Sequence, residues 1–461
     1  MVTKEETNQR TKRYLVLCQR VKEHVTLLEK THQLDYSNSE NDLNVFYRVM
    51  GREQLVNAVE HAYQGLQQSM EKYASIENEK IKRETMKSIQ ELKTRFEGIS
   101  TVSNLFLDLK TLELTGLLKS KHYFFASYIS SISSFPILYR VAPNSIASSI
   151  FAKTSSALSV KLLDNVNDRI HSVNQAVNSL RLIDAAFTNS EFEFEVSKKV
   201  DDTSLAENTA FLLARWTYDL LNKNISARSD TFRAYCEDIH TMIGGQLSSL
   251  KQKIEENDLS SSTKLSIEDY LKMTVEKGIG TLWGNIDLCF YENEREYVDD
   301  KEKVGLGILK GGIDYVFKST LIYDDVSDLI PDLNEDIVNI VVILGVERGL
   351  CDIDDVKKLD PKVLVKKLEK SKVIEDAIKL ADVVFLRGID QLQKAKTYSL
   401  DWIDIDALLF TASLLRMFNL RKWIVETKDF RSINLFLKSF DEFESLKDGI
   451  PDYIFAYEKY L

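Results

Sequence analysis

Three aspartates, Asp324, Asp325 and Asp328, fall within LIYDDVSDLIPDL (residues 321–333), shortly after the apolar stretch ILKGGIDYVF. Charged side chains belong on solvated surfaces, so carboxylates at helical spacing behind an apolar run ask for a reason. On a helix, Asp324 and Asp328 share a face with Asp325 beside them, and bare like charges at that spacing repel. Divalent cations reverse that repulsion. Oxygen-rich sites with few protein ligands suit Mg2+, with Mn2+ as a substitute. Mg2+ keeps several waters and takes the rest of its shell from substrate phosphate. Pro331 cannot donate to the carbonyl of Ser327 and disfavours helix at Ile330. The helix is therefore expected to end or kink there, with the acids at its terminus.

One D-D-x-x-D in an acidic chain reads by itself as a solvated helix face. A second cluster changes the weighing. SSALSVKLLDNVND (155–168) is again an apolar, small-residue helix ending in acids, with Asp164 and Asp168 four apart and Asn165 between them. Two such helix ends facing each other would line a mouth able to hold metal ions and a diphosphate. Between the clusters, MIGGQLSSL (242–250) sets Gly244, Gly245 and Gln246 inside a helical pattern, where glycine needs a packing or ligand reason. In LSIEDYLKMTVEKGIGTLWG (265–284), Ser266 is an N-cap candidate with Asp269 three residues on. The segment reaches Lys277-Gly278, a lysine at a helix break suited to a phosphate.

In this order the motifs resemble those of the class I isoprenoid synthase superfamily, the trans-prenyl diphosphate synthases and class I terpene synthases. The resemblance covers roughly residues 145–340. It rests on Asp164-Asn165-x-x-Asp168, Gly245-Gln246, the Tyr270-Leu271 to Lys277-Gly278 element, and Asp324-Asp325-x-x-Asp328. It implies a large helical bundle of the isoprenoid synthase type. Mg2+ would be held by Asp164, Asp168, Asp324, Asp325 and Asp328 and would grip the diphosphate of an allylic prenyl substrate. Asn165, Arg169, Gln246, Lys277 and Lys318 would contact that substrate. The carbocation left after ionisation would lie in an apolar pocket faced by Tyr315, Phe317 or Trp283. It also admits a homodimer.

The chain departs from the chain-elongating pattern in three places. The first cluster carries Asn165 as its second member. Arg169 follows it without a paired arginine. Lys119 and Lys121 are the nearest substitute for the upstream basic element that grips a second diphosphate. These features favour ionisation of a single substrate, followed by cyclisation, elimination or water capture. Asp328, by contrast, is prenyltransferase-like, so elongation with isopentenyl diphosphate stays open. A non-catalytic helical partner subunit is the third reading.

The elements needed to position these residues are helices. Only five prolines and 17 glycines interrupt 461 residues, and strand-like alternation is nearly absent, so the chain reads as all-α. Asp360 and Pro361 mark an N-cap and first helical position, with an apolar stripe through Leu364, Leu368, Val373, Ile378 and Val383 up to Gly388. VNIVVILGV (338–346) is half the length of a membrane span and reads as core. Residues 1–110 form a highly charged N-terminal helical region. Residues 111–461 would form the catalytic domain. Loops are expected at 186–192, 199–204 and 255–263. The net charge of −11 with interspersed signs argues against general nucleic-acid binding. Four scattered cysteines and a polar N-terminus suggest a reduced, cytoplasmic protein without a signal peptide or transmembrane segment.

Overall fold

The computed structural model describes residues 105–119, separate positions within 122–138, and 140–169, 172–194, 202–225, 229–252, 266–278, 280–295, 298–420, 423 and 443–461. The expectations for residues 1–104, for Cys18, for Lys121 and for the 255–263 loop lie outside them. The described residues are all-α, with no β-strand. In chain order the helices are α1 (Leu109–Leu114), α2 (Pro143–Arg169), α3 (Val173–Thr188), α4 (Asp202–Asn224), α5 (Asp230–Ser249), α6 (Ile267–Lys272), α7 (Gly280–Glu294), α8 (Asp300–Ser327), α9 (Leu329–Asn334), α10 (Ile340–Glu347), α11 (Ile353–Lys358), α12 (Pro361–Lys370), α13 (Val373–Ala395), α14 (Ile405–Asn419), α15 (Glu444–Lys447) and α16 (Asp452–Phe455). No described helix is long and apolar enough to cross a membrane.

The chain divides into two units. The first takes the chain up to Ile239 with Leu282–Glu302 and Leu400–Thr411. The second takes His240–Thr281, Lys303–Ser399 and Ala412–Leu461.

In the first unit α2 packs along α4. The small hydroxyl residues of α2 let the two backbones approach and then bond across the seam. Ser159 Oγ donates to the Ala210 carbonyl at 2.7 Å, and Thr217 Oγ1 donates to the Ala152 carbonyl at 3.0 Å. The α3 helix buries Ala176, Leu180, Ile183 and Phe187, one stripe at helical spacing, and packs on α4. The helix runs to Thr188, so only 189–192 of the loop expected at 186–192 lies outside it; of the loop expected at 199–204, residues 202–204 belong to α4 and 199–201 lie outside the described residues.

In the second unit α10 is buried from Ile340 to Gly345, as VNIVVILGV suggests. Its N-cap, Asn339, accepts from the amides of Val341 and Val342. Beside it lies α13, an amphipathic helix that buries one broad apolar face. Close approach of α13 to α8 requires Gly388. A β-carbon there would meet the Gly312 carbonyl oxygen at 2.9 Å. Gly388 therefore packs two helices together, and α13 runs on past it to Ala395.

The stripe from Asp360 to Gly388 is not one helix. Asp360 and Pro361 start α12 as expected, but the helix stops at Lys370, and Lys372 turns the chain at φ 59° before α13. Apolar residues at intervals of four and five continue across the break, because both helices bury their stripes in the same core. Spacing alone therefore conceals the turn.

Gly245 of α5 faces the backbone of the segment that carries Lys277. A β-carbon at Gly245 would lie 2.2 Å from the Lys277 amide nitrogen, whereas one at Gly244 meets nothing within 4 Å. Gly245→Ala is expected to lower stability by about 1–3 kcal/mol through overpacking. Gly244→Ala should raise it by about 0.5–1 kcal/mol through helix propensity. Urea unfolding of the two variants checks the contrast, and equal effects would remove the packing role of Gly245.

Candidate functional site

The aspartate cluster of the second unit sits where the sequence places it, at the end of α8. The helix stops at Ser327, Asp328 takes φ −104° and ψ 13°, and Pro331 falls in the first turn of the short helix α9. A proline there needs no amide hydrogen. Asp324 is exposed, while Asp325 and Asp328 are half-buried.

Asp325 is tied into the protein on several sides. Its Oδ2 accepts from the Tyr270 hydroxyl at 2.8 Å and from the Ile340 amide at 3.1 Å, the latter at the N-terminus of α10. Its backbone carbonyl accepts from Asn339 Nδ2 at 2.9 Å, and the same amide nitrogen reaches Asp332 Oδ2 at 2.9 Å. Burial raises the Asp325 pKa; the charge of Lys277 and the two hydrogen bonds oppose it. Burial also pushes the Asp332 carboxyl up to about 7; Asn339 opposes this, and the charges of Asp325 and Asp328 add to it. Tyr270, fully buried, is held well above the usual phenol range, so it stays a donor.

Three of the four motifs meet here. A capping box of Ser266 and Asp269 starts α6 and sets Tyr270 one turn in. A tight turn, Thr274–Gly278, then carries Lys277 toward the acids, with Gly245 of α5 against its backbone. Gln246 is half-buried beside it in sequence. Lys318 is drawn into a different set of contacts. It forms ion pairs with Glu276 and Asp314, both at 2.7 Å, and Asp314 Oδ1 accepts from the Gly280 amide at 2.8 Å. These contacts fasten the 274–280 segment to α8. Tyr315 donates to the Leu461 carbonyl at 3.0 Å and carries Arg387 over its ring at 4.8 Å, while Phe317 is half-buried.

The first unit holds the other motif at the end of α2. Asp164 pairs with Lys161 at 2.8 Å. The side chain of Asp168 lies outside the described residues. Asn165 Nδ2 donates to the Leu117 carbonyl at 2.6 Å, and Arg169 Nη2 to the Thr115 carbonyl at 2.9 Å. The amide at 165 has a structural reason, because a carboxylate could not donate to Leu117.

Several polar residues of the interior have no signature in the sequence. Lys153 and Asp287 form a fully buried pair at 2.5 Å. Lys153 also donates to Ser133 and Ser134, and Ser149 donates to Asp287. Burial pulls both charges towards neutrality, lowering the lysine pKa and raising that of the aspartate, against their mutual attraction. The Lys153 ammonium lies 5.5 Å from the Trp283 ring centre, so that ring already faces a cation. In the second unit, Arg416 Nε donates to Asp382 at 2.8 Å and Tyr323 donates to the same oxygen at 2.5 Å. Single charges inside apolar runs such as GNIDLCFY and LADVVFL are the only trace of these networks in the sequence.

Among the described residues, no three or more carboxylate, imidazole or thiol groups are gathered closely enough to hold a metal ion by themselves. The donors at the end of α8 are hard oxygens, and Asp325 already spends one oxygen on Tyr270 and Ile340. They fit an ion such as Mg2+ that completes its shell from water and phosphate. Cys236, Cys289 and Cys351 form no disulfide among the described residues, and burial pushes Cys236 and Cys351 up to about 11. Comparison of the sequence with family models gave no match, and comparison with curated proteins gave none.

Asp332 yields a pH test. Its folded pKa, about 7, lies above the ordinary carboxyl value of 3.8. The protonated acid therefore contributes stability that is full below pH about 4 and lost as pH rises through about 7. Asp332→Asn, which keeps an acceptor for Asn339, should raise Tm at pH 8 in chelator and leave it unchanged near pH 4. A gain of equal size at both pH values would contradict the assignment. Asn165→Asp should destabilise by about 1–3 kcal/mol, since the Leu117 carbonyl loses its donor and gains a repelling charge.

Proposed function

We propose that the chain is a Mg2+-dependent class I isoprenoid synthase that ionises an allylic prenyl diphosphate, with cyclisation, elimination or water capture to follow. The observation that carries this reading is the convergence in one unit of Gly245, Tyr270, Lys277 and the carboxylates of Asp324, Asp325 and Asp328. These are three motifs of the resemblance, contributed by segments far apart in sequence, gathered around one acid cluster and one lysine.

Each residue has a chemical task in this reading. Asp324 and Asp328, with the second oxygen of Asp325, would hold the ion; Asp164 and Asp168 are the other acids that the resemblance implies as ligands. A bound Mg2+ would supply positive charge against the departing diphosphate. Lys277 adds a point charge for phosphate. Tyr270 and the Ile340 amide fix the Asp325 carboxylate, so that little reorganisation accompanies ionisation. Asn165, Arg169 and Lys318 are bound in structural contacts and are weaker candidates for substrate contact than their positions in the motifs imply.

The test is incubation of purified protein with Mg2+ and C10 to C25 allylic diphosphates, with and without isopentenyl diphosphate, followed by product analysis. Diphosphate release is expected from the allylic substrate alone and should cease in EDTA. Asp324→Ala, at an exposed position, should lower kcat and kcat/KM together by about 10²–10³-fold while far-UV circular dichroism stays native. Lengthened diphosphates that form only with isopentenyl diphosphate would assign elongation instead. No turnover of any substrate would leave the partner-subunit reading.

A further inference from the structure

Residues 357–372, KKLDPKVLVKKLEKSK, hold seven lysines and two acids, a local charge of +5 in a chain of net charge −11. The segment covers the end of α11, all of α12 and the turn before α13. Leu364 and Leu368 are buried, and α12 packs on α9, α10, α11 and α13. At about 100° per residue, Lys362, Lys366 and Lys370 follow one another along the opposite face. All three are exposed, as is Lys372, and none of the four makes an ion pair among the described residues. Lys358 and Lys367 are paired, to Asp354 and Asp355. Val363, 54% exposed, flanks this face beside Lys362.

Two features set this face apart from an ordinary solvated helix. Like charges at i, i+4 spacing oppose the helix that carries them, and here three stand in a row, with Glu369 the one acid on the same side. Lys372, moreover, occupies φ 59°, a left-handed conformation that glycine or asparagine adopts more readily. A lysine at that turn adds charge to the face at a conformational cost.

We propose that the exposed face of α12, with Lys362, Lys366 and Lys370, Lys372 at its end and Val363 at its edge, docks on an anionic lipid surface. The unpaired ammonium groups are spaced about 6 Å apart along the helix and complement a plane of negative headgroups, and a cluster of this size on an amphipathic helix is enough for such attraction. Val363 supplies a shallow apolar contact at its edge. The segment contains no arginine and no aromatic residue, the side chains that fork onto phosphates or stack on bases, so its chemistry suits headgroups better than nucleic acid. The inference is independent of the proposed reaction.

Co-sedimentation of the full chain with phosphatidylcholine vesicles, with and without phosphatidylserine, tests it. Binding is expected only with phosphatidylserine, weakening steeply as salt approaches about 1 M. Lys362→Glu/Lys366→Glu/Lys370→Glu should reduce vesicle affinity by at least about a hundredfold, on the basis of about fivefold per lysine at the surface. Lys372→Gly is the decisive companion, because it relieves the backbone and should raise Tm while still lowering vesicle affinity. Equal binding to neutral vesicles, no binding to either, or a Lys372→Gly protein that binds as wild type would each overturn the proposal. So would a single-stranded oligonucleotide that binds the face more tightly than the acidic vesicles do.

Discussion

The carboxylate of Asp325 is the point on which the second unit turns. One of its oxygens accepts from a buried tyrosine 55 residues upstream and from the first amide of a buried helix 15 residues downstream. A buried carboxylate without such partners would be expelled or protonated, since removing an ion from water costs several kcal/mol. The N-terminus of α10 is one partner, because helix amides there have no acceptors of their own and the helix dipole favours a negative charge. The same bonds that satisfy Asp325 fix the angle between α6, α8 and α10. The carboxylate proposed for metal binding is thereby also a structural staple, whereas Asp324 beside it is exposed.

That constraint spreads outward. Asn339 spans Asp325 and Asp332 with one amide nitrogen and caps α10 with its oxygen. Asp332 lies close enough to the other acids for their charge to help hold its proton. Lys277 is the nearby counter-charge, delivered by a turn whose close packing against α5 needs glycine at 245. Lys318 satisfies Glu276 and Asp314, so the lysine adjacent in sequence to the predicted aromatic residues serves the frame of the site.

Each unit also buries a polar network that hydrophobic packing alone would not supply. Lys153 with Asp287 joins α2 to α7, and Arg416 with Asp382 and Tyr323 joins α14 to α13 and α8. Removing one partner from such a pair leaves an uncompensated charge, a loss of about 3–5 kcal/mol, whereas an apolar alternative of the same shape can be neutral. Their effect is one of register. Tyr323 immediately precedes Asp324, so the Arg416 network sets the rotation of α8 at the level where the aspartates begin.

The sequence by itself determined what depends on short-range physics. The scarcity of proline and glycine and the 3.6-residue spacing establish an all-α chain. Ser266, Asp360 with Pro361, and Pro331 mark helix ends because capping and the missing proline amide act within one turn, and the apolar density of 338–346 marks core. Asp324, Asp325, Asp328 and Lys277 were legible because their types and spacing are local. Tertiary structure decided the rest. The turn at Lys372 is hidden because the apolar stripes on both sides of it enter one core. An amide is needed at Asn165 because a carbonyl at Leu117, 48 residues away, takes a donor. Asp325 pairs with Tyr270 and Lys153 with Asp287 through contacts that only chain folding brings within 3 Å. A buried charge seeks whichever partner the fold presents, and no local pattern encodes a partner that far along the chain.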